Sequence, residues 1–196
     1  MNLLDQNQTI ICASKYYDEF QIRKLYSKGV FHFGENRVQD LLKKIANLSD
    51  LEITWHFIGH LQTNKVKMMI NSISYLHTLD RLNLLEMIQK YRIKPLNCFI
   101  QVNMTKEDQK SGINPDYLEE FLIEIKKYDK INIVGLMTLG KDQDEIETKK
   151  AFKGLLDLKE KYHLKYLSMG MSDDYELALH YQATHLRIGR KFTELL

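Results

Sequence analysis

Short apolar runs alternate with longer amphipathic stretches from one end of this chain to the other. The runs fall at residues 9–14, 30–34, 54–58, 75–77, 98–102, 131–135, 166–169 and 185–188. Each is brief and bounded by small or polar residues, the pattern of strands buried on both faces. Between them the apolar spacing becomes helical. Leu84, Leu85, Ile88 and Tyr91 share one face, as do Leu118, Phe121, Leu122 and Ile125, and then Ala151, Leu155, Leu158 and Tyr162. Eight strands with intervening helices predict an α/β fold, a single (β/α)8 TIM-type barrel. An open, doubly wound sheet is the main competitor, because periodicity does not show that a sheet closes. With 2 Pro and 9 Gly the chain has no linker, so one domain is expected over residues 1–196.

In a parallel α/β protein the residues at the C-terminal ends of the strands share one face, where chemistry is done. Here they are Lys15, Gly34-Glu35-Asn36, Gly59-His60, His77, Asn103, Met137-Thr138, the stretch from Ser168 to Asp174, and Arg187-Ile188-Gly189-Arg190. Lys15 closes the first run. A lysine held there and partly desolvated becomes a nucleophile able to form a Schiff base. The plainer alternative is the first solvated residue after a buried strand.

The last two loops decide between these. Barrel enzymes often hold phosphate with the loops after strands seven and eight, using backbone N–H groups and a helix N-terminus. Ser168-Met169-Gly170-Met171-Ser172 supplies hydroxyls and small residues ahead of a helix-like stretch at 175–181, and Gly189-Arg190 supplies close approach and a guanidinium. Asp173 and Asp174 would repel an anion unless they turn away. Asp173 with Glu176 fits a capping box that would do so.

Composition narrows the reading. A net charge of +2, with Lys and acidic residues interleaved, argues against a nucleic-acid binder. Cys12 and Cys98 sit in apolar runs without metal or redox spacing, so buried reduced thiols are expected. His56 and His60 are four apart on a strand and turn rather than a helix, which disfavours a metal site. Alternation puts His56 and Ile58 on one strand face, Trp55 and Phe57 on the other. Residues 141–150 form a charge-rich loop and helix start. The polar start of the chain lacks a signal-peptide core, and no stretch approaches the ~20 apolar residues needed to span a bilayer, which points to a cytoplasmic protein.

Taken in order, several segments resemble one family. These are Ala13-Ser14-Lys15, Phe33-Gly34-Glu35-Asn36-Arg37-Val38-Gln39, and the run from Trp55 through Gly59-His60 to Lys65. Further on come Gln101-Val102-Asn103, Lys110-Ser111-Gly112-Ile113, Gly135-Leu136-Met137-Thr138, residues 167–176 and His185-Leu186-Arg187-Ile188-Gly189-Arg190. The chain resembles the YggS/PROSC pyridoxal 5′-phosphate (PLP) homeostasis proteins, whose fold is similar to the alanine racemase N-terminal barrel.

The resemblance implies a covalent aldimine of PLP to Lys15, and a phosphate cradle of Ser168, Met171, Ser172, Gly189 and Arg190. It places Arg187 at the pyridine nitrogen and Asn36, His60 and Met137 around the ring. An arginine there cannot accept a proton, so the ring would be a weaker electron sink. Two departures stand out. Only Met1 to Gln8 precede the first strand where the family has a helix, which would remove a cap from the barrel. The segment after Met137 also lacks the family's proline.

The implied function is intracellular PLP binding, buffering or delivery, with indirect effects on amino-acid and keto-acid balance. PLP and PLP-dependent apoenzymes are the implied partners, with no nucleic acid or membrane, and the protein is expected to be a monomer. The alternative is a PLP-dependent amino-acid racemase or related enzyme. Racemisation needs a second acid/base, typically a Tyr facing the lysine, and none of the 11 Tyr is placed for it. A barrel that has lost its cofactor and serves as a scaffold is the third reading.

Overall fold

In the computed structural model, which describes residues 8–105 and 111–196, eight parallel strands pair in sequence order and close into a barrel. The strands are β1 (Thr9–Ala13), β2 (His32–Glu35), β3 (Thr54–Phe57), β4 (Tyr75–Leu79), β5 (Leu96–Gln101), β6 (Ile131–Met137), β7 (Tyr166–Ser168) and β8 (His185–Ile188). Helices α1 (Glu19–Ser27), α2 (Val38–Asn47), α3 (Val66–Met69), α4 (Leu82–Tyr91), α5 (Leu118–Ile125), α6 (Glu145–Lys161) and α7 (Tyr175–His180) lie between them. Every expected strand is present, with ends shifted by a few residues. The short 75–77 run extends to Leu79, because Thr78 and Leu79 are buried by the closed sheet despite the polar neighbour Asp80. Barrel closure excludes the open sheet. It rests on four registered pairs between β1 and β8, from Thr9↔His185 to Cys12↔Ile188.

Apolar side chains fill the shell between sheet and helices. Trp55 and Phe57 belong to it with Phe33, Leu76, Leu136 and Phe152, whereas Ile58 lines a cavity at the strand ends. Helix starts follow local chemistry. Asp18 and Gln21 make a reciprocal capping box at α1, and the Asp144 carboxylate caps α6. The segment after β6 has no proline to fix it. Instead the Thr148 hydroxyl from α6 donates to Lys141 O and accepts from Lys141 N. Cys12 and Cys98 are buried free thiols, and burial pushes both well up from the ordinary thiol value. The short stretch before β1, where the family's helix is expected to be missing, falls largely in residues 1–7, outside the described residues, as does Lys110.

The barrel interior is unusual in its histidines. His56, His77 and His185 are buried among Tyr75, Phe99 and Tyr166, with His77 and Phe99 stacked at 4.5 Å between ring centroids. Burial lowers the basicity of all three, and His185 is brought down to about 4. These rings are neutral in the folded chain at neutral pH, while in the unfolded chain they ionise near the ordinary 6.5. The unfolded state therefore binds more protons as pH falls below about 6.5, and stability drops. Each such histidine removes about 1.4 kcal/mol per pH unit, for His185 down to about pH 4. Asp174, whose carboxyl is pushed up by desolvation, acts weakly in the opposite sense. Urea unfolding followed from pH 7.5 to 4.5 is expected to show a midpoint that collapses below pH 6.5. His185→Phe should flatten that slope, and a midpoint independent of pH would contradict this picture.

Candidate functional site

A cavity of about 660 Å³ opens at the C-terminal ends of the strands, between the loops after β1, β2, β7 and β8. Of the ten residues singled out from sequence, seven line it: Lys15, Asn36, Met171, Ser172, Arg187, Gly189 and Arg190. The remaining three do not. Ser168 is wholly buried at the end of β7, where its hydroxyl is tied to the Arg187 guanidinium and to His77. Met137 is buried in β6. His60 is exposed on the rim and turns toward Asp80, 3.9 Å away, and the Ser111 hydroxyl.

Lys15 sits in a 3-10 turn, Ser14–Tyr16, that leaves the end of β1. The expected desolvation is not found. The turn swings the side chain outward, leaving it exposed with Nζ 4.6 Å from the centre of the equally exposed Tyr16 ring. The backbone beneath it is held tightly. Ser14 Oγ donates to Glu35 Oε1 at 2.8 Å, and Lys44 Nζ donates to both Glu35 Oε1 at 2.5 Å and Ser14 O at 2.6 Å. All three residues are buried, and Glu35 Oε2 has no partner. Tyr17 completes the clamp by donating its hydroxyl to Gly189 O at 2.7 Å, joining the first strand's turn to the last strand's loop.

Sequence reading missed Lys44, Tyr16 and Tyr17. Lys44 carried a usable signal, since it occupies an apolar position three residues after Leu41 on the buried face of α2. Gly59 permits the β2 and β3 loops to touch, because a Cβ there would collide with the backbone of Asn36. Gly170 adopts φ +92°, a left-handed conformation that favours glycine, and so turns the chain sharply after β7.

The β7 loop does not form the expected capping box. Asp173 instead pairs with Arg190 on the exposed rim, and Asp174 Oδ1 accepts from Met171 N at 2.5 Å. Gly189 N donates to Ser172 Oγ at 3.2 Å. The donors that could face an anion are thus present and internally occupied. At the base of the cavity Arg187 donates to Ser168 Oγ at 2.8 Å and to Thr138 O at 3.0 Å. Burial brings it down to about 10, so it remains charged at neutral pH. It forms no ion pair among the described residues. A buried cation with no directly bonded carboxylate, an amine at the mouth and a set of N–H and hydroxyl groups suit a ligand that carries an acceptor-bearing ring, a carbonyl and an anionic group.

The family profile described as alanine racemase, N-terminal domain, matches residues 14–192. The chain belongs to this family. Within it, the chain belongs with the pyridoxal phosphate homeostasis proteins. The protein of that name from Aquifex aeolicus is 38% identical over 190 residues, covering 92% of this chain and 83% of the relative. PipY of Synechococcus elongatus, in its structure with PLP bound, superposes with a TM-score of 0.87 at 30% identity. That match covers 96% of this chain and 93% of PipY. Alanine racemase from Corynebacterium glutamicum has a TM-score of 0.75 at 12% identity, covering 95% of this chain but 55% of the racemase, so the two share the fold. The racemase alternative gains no support from that likeness.

The Lys44–Glu35 pair yields a stability test. Lys44→Met leaves a buried carboxylate unpaired and is expected to cost about 3–5 kcal/mol. Replacing both partners, as Lys44→Met with Glu35→Leu, should recover most of the loss. Urea unfolding of the three variants checks this, and a single variant as stable as the parent would show that the pair does not hold the turn.

Proposed function

We propose that this protein binds pyridoxal 5′-phosphate in the cavity at the strand ends and serves in its homeostasis, holding the cofactor rather than using it. The observation that carries the reading is the grouping of Lys15, Ser172, Arg187, Gly189 and Arg190 around one cavity large enough for a small phosphorylated ring. The PLP-bound PipY structure and the names of the curated relatives support it. The cofactor, when bound, supplies an aldehyde that condenses with an amine and a ring that can accept electron density.

Each residue has a chemical part in this reading. Lys15 Nζ is the amine that would face the aldehyde of the bound cofactor. Arg187 has donors only, so it holds a ring atom that brings a lone pair and gives up no proton to it at neutral pH. Gly189, Ser172 and Arg190 receive the phosphate once Asp173 and the Ser172–Gly189 contact give way. The Arg190–Asp173 pair is exposed on both sides, with side-chain exposures of 69% and 81%, so an arriving dianion displaces it at little cost. Tyr17, whose hydroxyl is committed to Gly189 O, is not free as a second acid/base.

Two measurements test this. Protein mixed with PLP is expected to develop a visible absorption band, and borohydride should fix the cofactor's mass on the peptide containing Lys15. Lys15→Ala should show neither, and an unchanged spectrum in that variant would remove the lysine from the reading. Arg190→Ala combined with Ser172→Ala should weaken PLP retention by about tenfold while leaving pyridoxal binding as it was. Equal loss of both ligands would argue that these residues do not hold the phosphate.

A further inference from the structure

Among the described residues, Lys44 and Arg187 are the two buried cations. Lys44 has Glu35 as a directly bonded counter-ion, whereas Arg187 bonds a hydroxyl and a carbonyl and feels the Asp174 carboxylate only through space. Behind that hydroxyl lies a file of imidazoles climbing the inside of the barrel. His77 Nδ1 is 2.8 Å from Ser168 Oγ, His56 Nδ1 is 2.9 Å from His77 Nε2, and His32 Nδ1 is 3.0 Å from His56 Nε2. The file begins at His32, the half-buried first residue of β2, and ends beneath the cavity. Register explains the climb. His56 pairs with Gly34, two residues above His32, and Tyr75 pairs with His56, two residues below His77.

The direction of the protons along this file follows from Arg187. A guanidinium only donates, so Ser168 Oγ accepts from it, and the hydroxyl proton is left to go to His77 Nδ1. His77 then carries its own proton on Nε2 and gives it to His56 Nδ1. His56 in turn gives its Nε2 proton to His32 Nδ1. In this order His77 and His56 each accept once and donate once, His32 accepts once, and every dipole presents its negative end to Arg187. Reversal would leave the Ser168 proton without an acceptor among the described contacts. Aligned hydrogen bonds in a low-dielectric interior polarise one another, which strengthens the negative end. Burial opposes protonation of all three rings, and at His77 the neighbouring His56 and the Arg187 charge add to it.

We propose that His32, His56, His77 and Ser168 form a one-way hydrogen-bond relay that takes the place of a directly bonded carboxylate at Arg187 and positions its guanidinium at the base of the cavity. The four are positioning residues, since they act through Arg187 and not on a ligand. A directly bonded carboxylate would neutralise the guanidinium, whereas a relay of neutral groups stabilises it and leaves more of its charge to a ligand. The part of the proposal that concerns a ligand rests on the reading of the cavity as a PLP site, and the relay itself does not.

Long-range ¹H–¹⁵N correlation spectra of the ligand-free protein at neutral pH read each tautomer directly. The Nε2–H form is expected at His32, His56 and His77, and an Nδ1–H form at His56 or His77 would overturn the proposal. Ser168→Ala should turn the single tautomer of His77 into a mixture, and Ser168→Thr, which keeps the hydroxyl, should restore it. An unchanged His77 in Ser168→Ala would also overturn the relay. The wild-type spectrum decides the direction even where a variant fails to fold.

Titration with PLP, and with the analogue that has carbon in place of the ring nitrogen, then tests positioning. Ser168→Ala is expected to weaken PLP by about tenfold and to leave the analogue unchanged. No loss for either ligand would overturn the positioning role. Equal loss for both, with the tautomers as expected, would support the relay and count instead against the ring-nitrogen contact.

Discussion

Pairing of β1 with β8 is the constraint on which the rest depends. Its four registered residue pairs close the sheet and bring together two ends of the chain that sequence keeps far apart. Tyr17 reaches Gly189 across 172 positions of sequence because of it. Without closure, Lys15 would lie on one edge of a sheet and Arg190 on the other. Closure also removes both edges and buries every strand on two faces, which is why the strands read as nearly continuous apolar runs.

Two buried polar sets break that apolar pattern, and they do so in different ways. Under Lys15, a charged pair is compensated locally: Lys44 and Ser14 both donate to one oxygen of Glu35, and Lys44 also ties down the Ser14 carbonyl, which locks a turn. Under Arg187, a single charge has no directly bonded carboxylate and is supported by neutral groups spread over β2, β3, β4 and β7, with Asp174 acting through space. Each arrangement costs desolvation that well-packed hydrophobic residues would avoid. Both therefore make more sense as devices for placing a side chain than as sources of stability. One holds the amine-bearing backbone still while leaving the amine free, and the other holds a cation still while leaving its charge unspent.

The β7 and β8 loops show a third solution. Their donors are occupied by the chain's own oxygen atoms, with Asp174 on Met171 N, Ser172 on Gly189 N and Asp173 on Arg190. A loop satisfied in this way keeps its shape, because its N–H groups already converge on acceptors. The exposed Asp173 contact gives way most easily, and the half-buried Asp174 contact holds the loop. The acidic residues that looked unfavourable in the sequence thus act as internal stand-ins for an anion.

The order of elements, the barrel and most of the cavity wall were legible in the sequence, since they depend on local periodicity and on which residues end a strand. Lys15, Arg187, Gly189 and Arg190 could be placed on one face from strand direction alone. Lys44 could have been found as a charge on an apolar helix face, and Tyr17 could not, because its partner Gly189 is fixed by closure. What the tertiary structure decided was which polar groups pair. Ser168 turned inward to Arg187 instead of facing a ligand, Asp173 met Arg190 instead of capping a helix, and His56 and His77 joined one file. Those pairings depend on the stagger between strands, which sets distances to within a hydrogen bond's length. A pattern of apolar and polar positions fixes which face a residue takes and leaves the height and the partner to the closed sheet.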